Sequence, residues 1–240
     1  MQDQQPRMLT FAVNETRSIE FRDGPHPTII RTWNGESLDL EPDASHFIMV
    51  FSGSIQVAHG DISTCLGTGC FGTVPESASV SGVGEALIVS SLGYRSMALF
   101  GGPLEAHGRL RYVDNCTNSI LLSPPVRGEP CLNFLRLPRS TSQTSHTHPS
   151  LRVGLVYSGT GRCETPHGML DLLEGTVFVI PPGSLHSFQS GDTDLRIVIY
   201  HPDSDSGPTH TDHTMLNRTF IEGVSARDLP HLQTTEVVPA

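Results

Sequence analysis

Three histidines carry the clearest chemistry in this sequence. His146 and His148 stand two apart in SHTHPS, and His186 follows a Pro-Pro-Gly turn in IPPGSLHSF. Residues two apart on an extended strand project from one face, so His146 and His148 are expected to point together, with His186 converging from a neighbouring strand. Three imidazoles in a rigid pocket form a facial site for a divalent first-row metal, with open positions for substrate or O₂. Arg152, Gln143 and Phe188 are expected to line the same pocket: Arg152 lies just past the histidine pair, Gln143 just ahead of it, and Phe188 two past His186 on the same face.

Such a site needs short, stiff elements around it. The chain has 240 residues, with 23 glycines and 18 prolines that fall between short apolar runs. Thr28–Trp33, His46–Phe51, Ala86–Ser91, Pro130–Leu137, Val153–Tyr157, Thr176–Ile180 and Leu195–Tyr200 are such runs. Their length, their Val, Ile, Leu and Phe content and their flanking turn residues predict strands of a sandwich or barrel. No long segment sustains helical periodicity, so the fold class is all-β.

The pattern repeats. HFIMVFSGSIQVAHG, GCFGTVPESASV and EALIVSSLG in the first half answer RVGLVYSGTGRCETPHG, GTVFVIPPGSLHSF and LRIVIYHP in the second. Each half runs strand, Ser-Gly turn, strand, Gly-led strand ending in proline, strand. The expected division is residues 1–104 and 105–240, with the boundary in the turn-rich stretch Gly101–Gly108.

The second half resembles the cupin superfamily, and the whole chain its two-domain bicupin form. The motif G-x5-P-x-G-x2-H-x3-N is matched at Gly175, Pro181, Gly183 and His186, with Ser190 in place of asparagine. The motif G-x5-H-x-H-x3,4-E-x6-G is matched at His146, His148 and, allowing for spacing, Gly159, with Ser140 in place of its leading glycine. The resemblance implies two tandem jelly-roll barrels, a metal on His146, His148 and His186, and, first among activities, an iron(II) dioxygenase of the kind that acts on thiols, β-diketones or hydroxylated aromatic acids. Zn, Ni or Mn in the same site would instead serve an isomerase, cyclase or lyase, since imidazole alone does not select among these metals. A non-catalytic small-molecule-binding cupin is the third reading.

One departure from the motif is informative. Three or four residues past His148 stand Arg152 and Val153, so the usual glutamate ligand is missing. Without that carboxylate the metal's charge favours an anionic partner. Arg152 is the expected catalytic and substrate-binding cation, clamping a carboxylate through paired hydrogen bonds, with Gly154 leaving space beside it. It could equally turn to solvent or onto Glu164. In the first half, aligning the Ser-Gly turns sets His46 against Arg152, and Leu40, Pro42 and Val80 against the three histidines, so no metal is expected there.

Composition narrows the alternatives. The net charge is −10 and all 15 basic residues are arginine. Lysine-based Schiff-base, pyridoxal-phosphate and P-loop chemistry are excluded, and nucleic-acid binding is disfavoured. GxSxG and HExxH are absent. No apolar leader or spanning run appears, so a cytoplasmic protein without a membrane partner is expected, with a small anionic substrate, O₂ and possible homodimer formation as its partners. The cysteines, Cys65, Cys70, Cys116, Cys131 and Cys163, are odd in number and lack a CxxC pair. They read as reduced thiols, with Cys65 and Cys70 buried on a strand. The sequons at Asn14, Asn115 and Asn217 carry no weight without a leader, and the His201–Phe220 stretch, with His210, Asp212 and His213, reads as a surface loop.

Overall fold

The computed structural model describes residues 6–234. The first half runs β1 Leu9–Ala12, β2 Ser18–Phe21, β3 Thr28–Trp33, β4 Leu38–Leu40, β5 Ala44–His59, β6 Ile62–Gly67, β7 Phe71–Pro75, β8 Ala78–Leu92 and β9 Leu99–Gly101. The second runs β10 Leu110–Arg111, β11 Thr117–Leu122, β12 Cys131–Leu137, β13 Arg152–Ser158, β14 Gly161–Thr165, β15 Gly168–Leu172, β16 Thr176–Ile180, β17 Ser187–Ser190 and β18 Leu195–His201. The fold is all-β, as the apolar runs predict, and its strands form two tandem barrels, as the cupin resemblance implies. Among the described residues no helix is long and apolar enough to cross a membrane.

The two large sheets follow the same plan. One has the order β2-β3-β8-β5-β7-β9, the other β1-β16-β13-β18-β12-β11-β10, and β14, β15 and β17 form the facing sheet of the second barrel. β5 and β13 are thus equivalent, as are β7 and β16, and β8 and β18. Each large sheet also takes an edge strand from the chain that leads into the other half. β1 pairs with β16, Leu9 opposite Val179, and β9 pairs with β7, Thr73 opposite Leu99. This covers two otherwise open edges and ties the halves together.

Strand alternation sorts the core into three layers. On β13, Val156 faces the interior of the second barrel with Phe178, Ile180 and Ile197. Val153 and Leu155 face the other way, into a layer between the sheets that holds Phe47, Met49, Leu87 and Tyr200. Ile48 and Val50 of β5 fill the first barrel with Trp33, Val80 and Ile88. The Phe47 and Tyr200 rings meet across the join at 5.0 Å. Burying each such side chain contributes roughly 1.5–3 kcal/mol, so the middle layer holds the halves as one body.

The structure corrects several details of the sequence reading. Cys65 is exposed and Cys70 half-buried; the buried cysteines are Cys116, Cys131 and Cys163, and all five are free. Val80 pairs with Leu38, so Leu38 and Leu40, not Leu40 and Pro42, stand at the stations of His146 and His148. The segment after His201 holds a single helical turn, Thr214–Asn217, and a short hairpin, Phe220–Ile221 with Val224–Ser225.

Candidate metal centre

The stretch from Arg139 to Ser150 is not one continuous strand. It is laid along β17 by two isolated bridges, Ser142 with Gln189 and His146 with His186. The His146 and His186 backbones exchange both N–H···O=C bonds, at 2.9 and 3.0 Å. Upstream, the Ser190 hydroxyl accepts from Thr141 N–H at 2.9 Å, and an Asp114 carboxylate oxygen accepts from Thr144 N–H at 2.7 Å. Downstream, Gly183 N–H donates to the His148 carbonyl at 2.8 Å. Gly183 has φ 72°, a left-handed turn that glycine adopts without strain and that returns the chain to His186. Backbone hydrogen bonds thus bring the three imidazoles together; strand periodicity acts only locally.

The ligand-capable nitrogens of His146, His148 and His186 lie within 4.8 Å of one another. The ring centroids are 4.6 Å apart for His146 and His186, and 5.1 Å for each pair involving His148. Among the described residues this is the only such convergence of three or more metal-capable side chains. His146 Nδ1 lies 2.8 Å from the Thr144 carbonyl and His186 Nδ1 lies 3.0 Å from the Ser184 carbonyl. A carbonyl only accepts, so each Nδ1 carries the proton and each Nε2 presents a lone pair. His186 Nε2 is buried without a hydrogen-bond partner. Leaving such an atom unpaired costs about 1–3 kcal/mol, and a divalent cation would satisfy it.

The electrostatics suit the same occupant. Burial, and after it the Arg152 guanidinium, holds the His148 imidazole down to about 3. Burial brings His186 to about 4. Both rings are therefore neutral near pH 7, the form that binds metal. No carboxylate belongs to the converging set. The donor set is nitrogen-only and fits a first-row cation that retains positions for anionic ligands.

The histidines line a chamber of about 70 Å³ inside the second barrel, together with Gln143, Arg152, Phe178 and Phe188. The space expected beside Gly154 is filled: a Cβ there would meet the Phe178 ring at 2.1 Å, so the ring lies flat over the glycine and forms a chamber wall. Tyr112, Asn118, Arg152 and His201 belong both to this chamber and to an adjoining cavity of about 510 Å³. The two spaces therefore adjoin along these four residues.

Arg152 faces the chamber and is anchored on one side. Its Nη1 donates to the Leu151 carbonyl at 2.9 Å and to the Ser150 hydroxyl, and it lies 3.4 Å from an Asp203 carboxylate oxygen. The partner is Asp203 and not Glu164, which accepts from Gln189. Arg152 Nε is buried with no partner. Sequence reasoning missed Asp203 and Ser150, which reach Arg152 through loops and leave no periodic trace. It also missed His201, although Ile197, Ile199 and His201 alternate inward along β18. Burial drives the His201 pKa well below its usual value, and its Nδ1 stands 3.4 Å from the Asn133 amide nitrogen.

Comparison with known proteins agrees with this architecture. A family model described as an AraC-like ligand binding domain matches residues 130–205. No curated protein matches the chain in sequence. Among solved structures, a cupin 2 conserved barrel domain protein from Leptotrichia buccalis is similar with a TM-score of 0.58 at 11% identity, covering 85% of this chain and 92% of that one. Salicylate 1,2-dioxygenase from Pseudoaminobacter salicylatoxidans, in adducts with gentisate, gives 0.61 at 11% identity, covering 84% and 83%. Bacillus subtilis oxalate decarboxylase, studied for its Mn(II) centres, gives 0.56 at 13% identity, covering 96% and 87%. These likenesses define the class, a tandem cupin fold. Structures that share it include dioxygenases and a decarboxylase.

Proposed function

We propose that the chain is a metal-dependent enzyme, a three-histidine iron(II) dioxygenase acting on a small, anionic, metal-chelating substrate. The observation that carries this reading is the convergence of three imidazoles, two of them with Nδ1–H tied to a carbonyl and one with a buried, unpartnered Nε2. His146, His148 and His186 would hold the cation. When bound, iron supplies redox exchange between substrate and O₂, whereas Zn, Ni or Mn there would supply Lewis acidity for an isomerase, cyclase or lyase.

The chain's own residues do the remaining work. The Thr144 and Ser184 carbonyls keep the Nδ1 protons and fix two rings. Phe178 and Phe188, with centroids 5.3 Å apart, exclude water from the chamber. Arg152, held by Asp203 and Ser150, offers Nε–H to an anion. In this reading residues 1–104 form a metal-free supporting barrel and residues 105–240 the active one, apart from β1, which completes the large sheet of the second.

The test is anaerobic purification, reconstitution with Fe(II), and O₂ uptake with a panel of small anionic chelators. One iron per chain with substrate-dependent uptake is expected. Metal retained after His186→Ala would overturn the site. The match to a ligand-binding family model favours a second reading, binding without turnover; tight ligand binding with no reaction under any of the four metals would select it.

A further inference from the structure

Three buried polar atoms without hydrogen-bond partners meet in the one chamber: Gln143 Oε1, Arg152 Nε and His186 Nε2. They are three of the five such side-chain atoms among the described residues. An unpaired buried polar atom is costly, so their concentration in one small cavity describes the ligand that would complete them. His186 Nε2 is satisfied by the cation of the proposed function, and the ligand inferred from the other two atoms rests on that same reading. Those two atoms are Arg152 Nε and Gln143 Oε1.

Arg152 Nε–H is a donor and requires an acceptor, best an anionic oxygen. Gln143 requires more care, because amide oxygen and nitrogen are assigned from their surroundings. Its Nε2 lies 3.5 Å from Cys116 Sγ, and the Cys116 thiol is itself directed at the Asp114 carbonyl, at 3.8 Å. With its hydrogen turned to that carbonyl, the sulfur only accepts from Gln143. The amide N–H₂ therefore faces Cys116 and the carbonyl oxygen faces the chamber, where it requires a donor. The ligand must present an anionic acceptor and a hydrogen-bond donor within one compact group.

Size restricts it further. An apolar cavity of about 150 Å³ accommodates benzene, and this chamber is about 70 Å³. An aromatic ring does not fit beside a cation; two or three carbons with their oxygens do. We infer that the chamber recognises a short α-hydroxy carboxylate head, its carboxylate on Arg152 Nε–H and its hydroxyl donating to Gln143 Oε1, with any larger remainder of the substrate lying in the adjoining cavity. Gln143 is then the residue that distinguishes a hydroxy acid from the plain acid.

The test uses full-length protein loaded with redox-inert Zn(II), titrated calorimetrically with glycolate, acetate and salicylate. Glycolate is expected to bind about tenfold more tightly than acetate, the share of one well-made hydrogen bond, and salicylate more weakly than either. Gln143→Leu should bring glycolate to the level of acetate with Zn(II) content unchanged. Equal affinities for glycolate and acetate in the unaltered protein would overturn the inference without any variant, as would salicylate binding tightest. These outcomes, with one Zn(II) bound, leave the metal site standing; failure to bind Zn(II) at all would remove the site and this inference together.

Discussion

His46 and Arg152 occupy the same station in the two halves. His46 pairs with Val74 on β7 and Ser90 on β8, while Arg152 pairs with Ile180 on β16, with the next residue, Val153, opposite Tyr200 of β18. Around His46 every polar atom has a partner. The Ser90 hydroxyl lies 2.8 Å from Nδ1, and the Glu41 and Glu76 carbonyls lie 3.0 Å from Nε2, which therefore carries the proton. Arg31 completes the group, paired with Glu41. Around Arg152, by contrast, Nε, Gln143 Oε1 and His186 Nε2 are unpartnered. Among the described residues, no such atom comes from the first half. One topology thus serves two ends: in the first barrel polar groups close on one another beneath an apolar filling, and in the second they stay open toward a chamber.

The sharpest way to break this contrast is to remove a ligand. His148→Ala or His186→Ala should weaken metal binding by more than about 100-fold, since perturbing residues behind a ligand already costs 10–100-fold. Val80→Ala, at the first-half station of His186, should leave metal content unchanged. Competition with a chromogenic chelator measures both.

Next in size is the stability of the closed network. His46→Leu removes the acceptor of the Ser90 O–H and the donor to the partly buried Glu41 and Glu76 carbonyls, and should cost about 2–4 kcal/mol in urea unfolding. His186→Leu in metal-free protein loses one bond to the Ser184 carbonyl but also removes the unpartnered Nε2, and should cost less than about 1.5 kcal/mol. Equal costs would mean that the second-barrel histidines are structural in the same sense as His46.

A smaller effect follows from protonation. Burial holds the His46 pKa below its usual value, so the folded chain keeps the ring neutral while the unfolded chain takes up a proton below about pH 6.5. The unfolded state then binds more protons, and stability falls as pH drops from about 6.5 toward the lowered folded value, by at most about 1.4 kcal/mol per pH unit for one group. Urea midpoints between pH 7 and 5 should show a shallower decline in His46→Leu than in the unaltered protein.

How much of the molecule is legible in its sequence depends on how local each constraint is. Strand runs such as Thr28–Trp33 and Thr176–Ile180 are bounded as their composition predicts, because turn residues and apolar alternation act within a few positions. The histidine set is legible because its spacing reflects a turn and a bridge between close segments. The environment of Arg152 is not, because Asp203 belongs to a loop past β18 and Ser150 to a bend. The crossing of β1 is equally silent, since nothing in LTFA names the sheet that the strand joins. The two-residue offset at Leu38 arises from the stretch between β4 and β5, whose length the repeat does not conserve.

The smallest expected effect concerns the turn that delivers the histidine segment. Ser140 stands where the cupin motif has glycine, and its φ is 56°, the left-handed region that costs an L-residue roughly 1–2 kcal/mol. Its N–H donates to the Gly191 carbonyl at 2.8 Å, so the conformation is held by the bridge to the end of β17. In the first half, the turn entering β4 has Gly35 at φ 103°. Ser140→Gly should relieve the strain, partly offset by the greater freedom of glycine in the unfolded chain, and stabilise the protein by about 0.5–1 kcal/mol. The Ser140 side chain is exposed, so metal content should not change. A gain in stability accompanied by loss of metal would mean that the strained turn sets the spacing of His146 and His148, and that the second barrel departs from the first in its backbone as well as in its side chains.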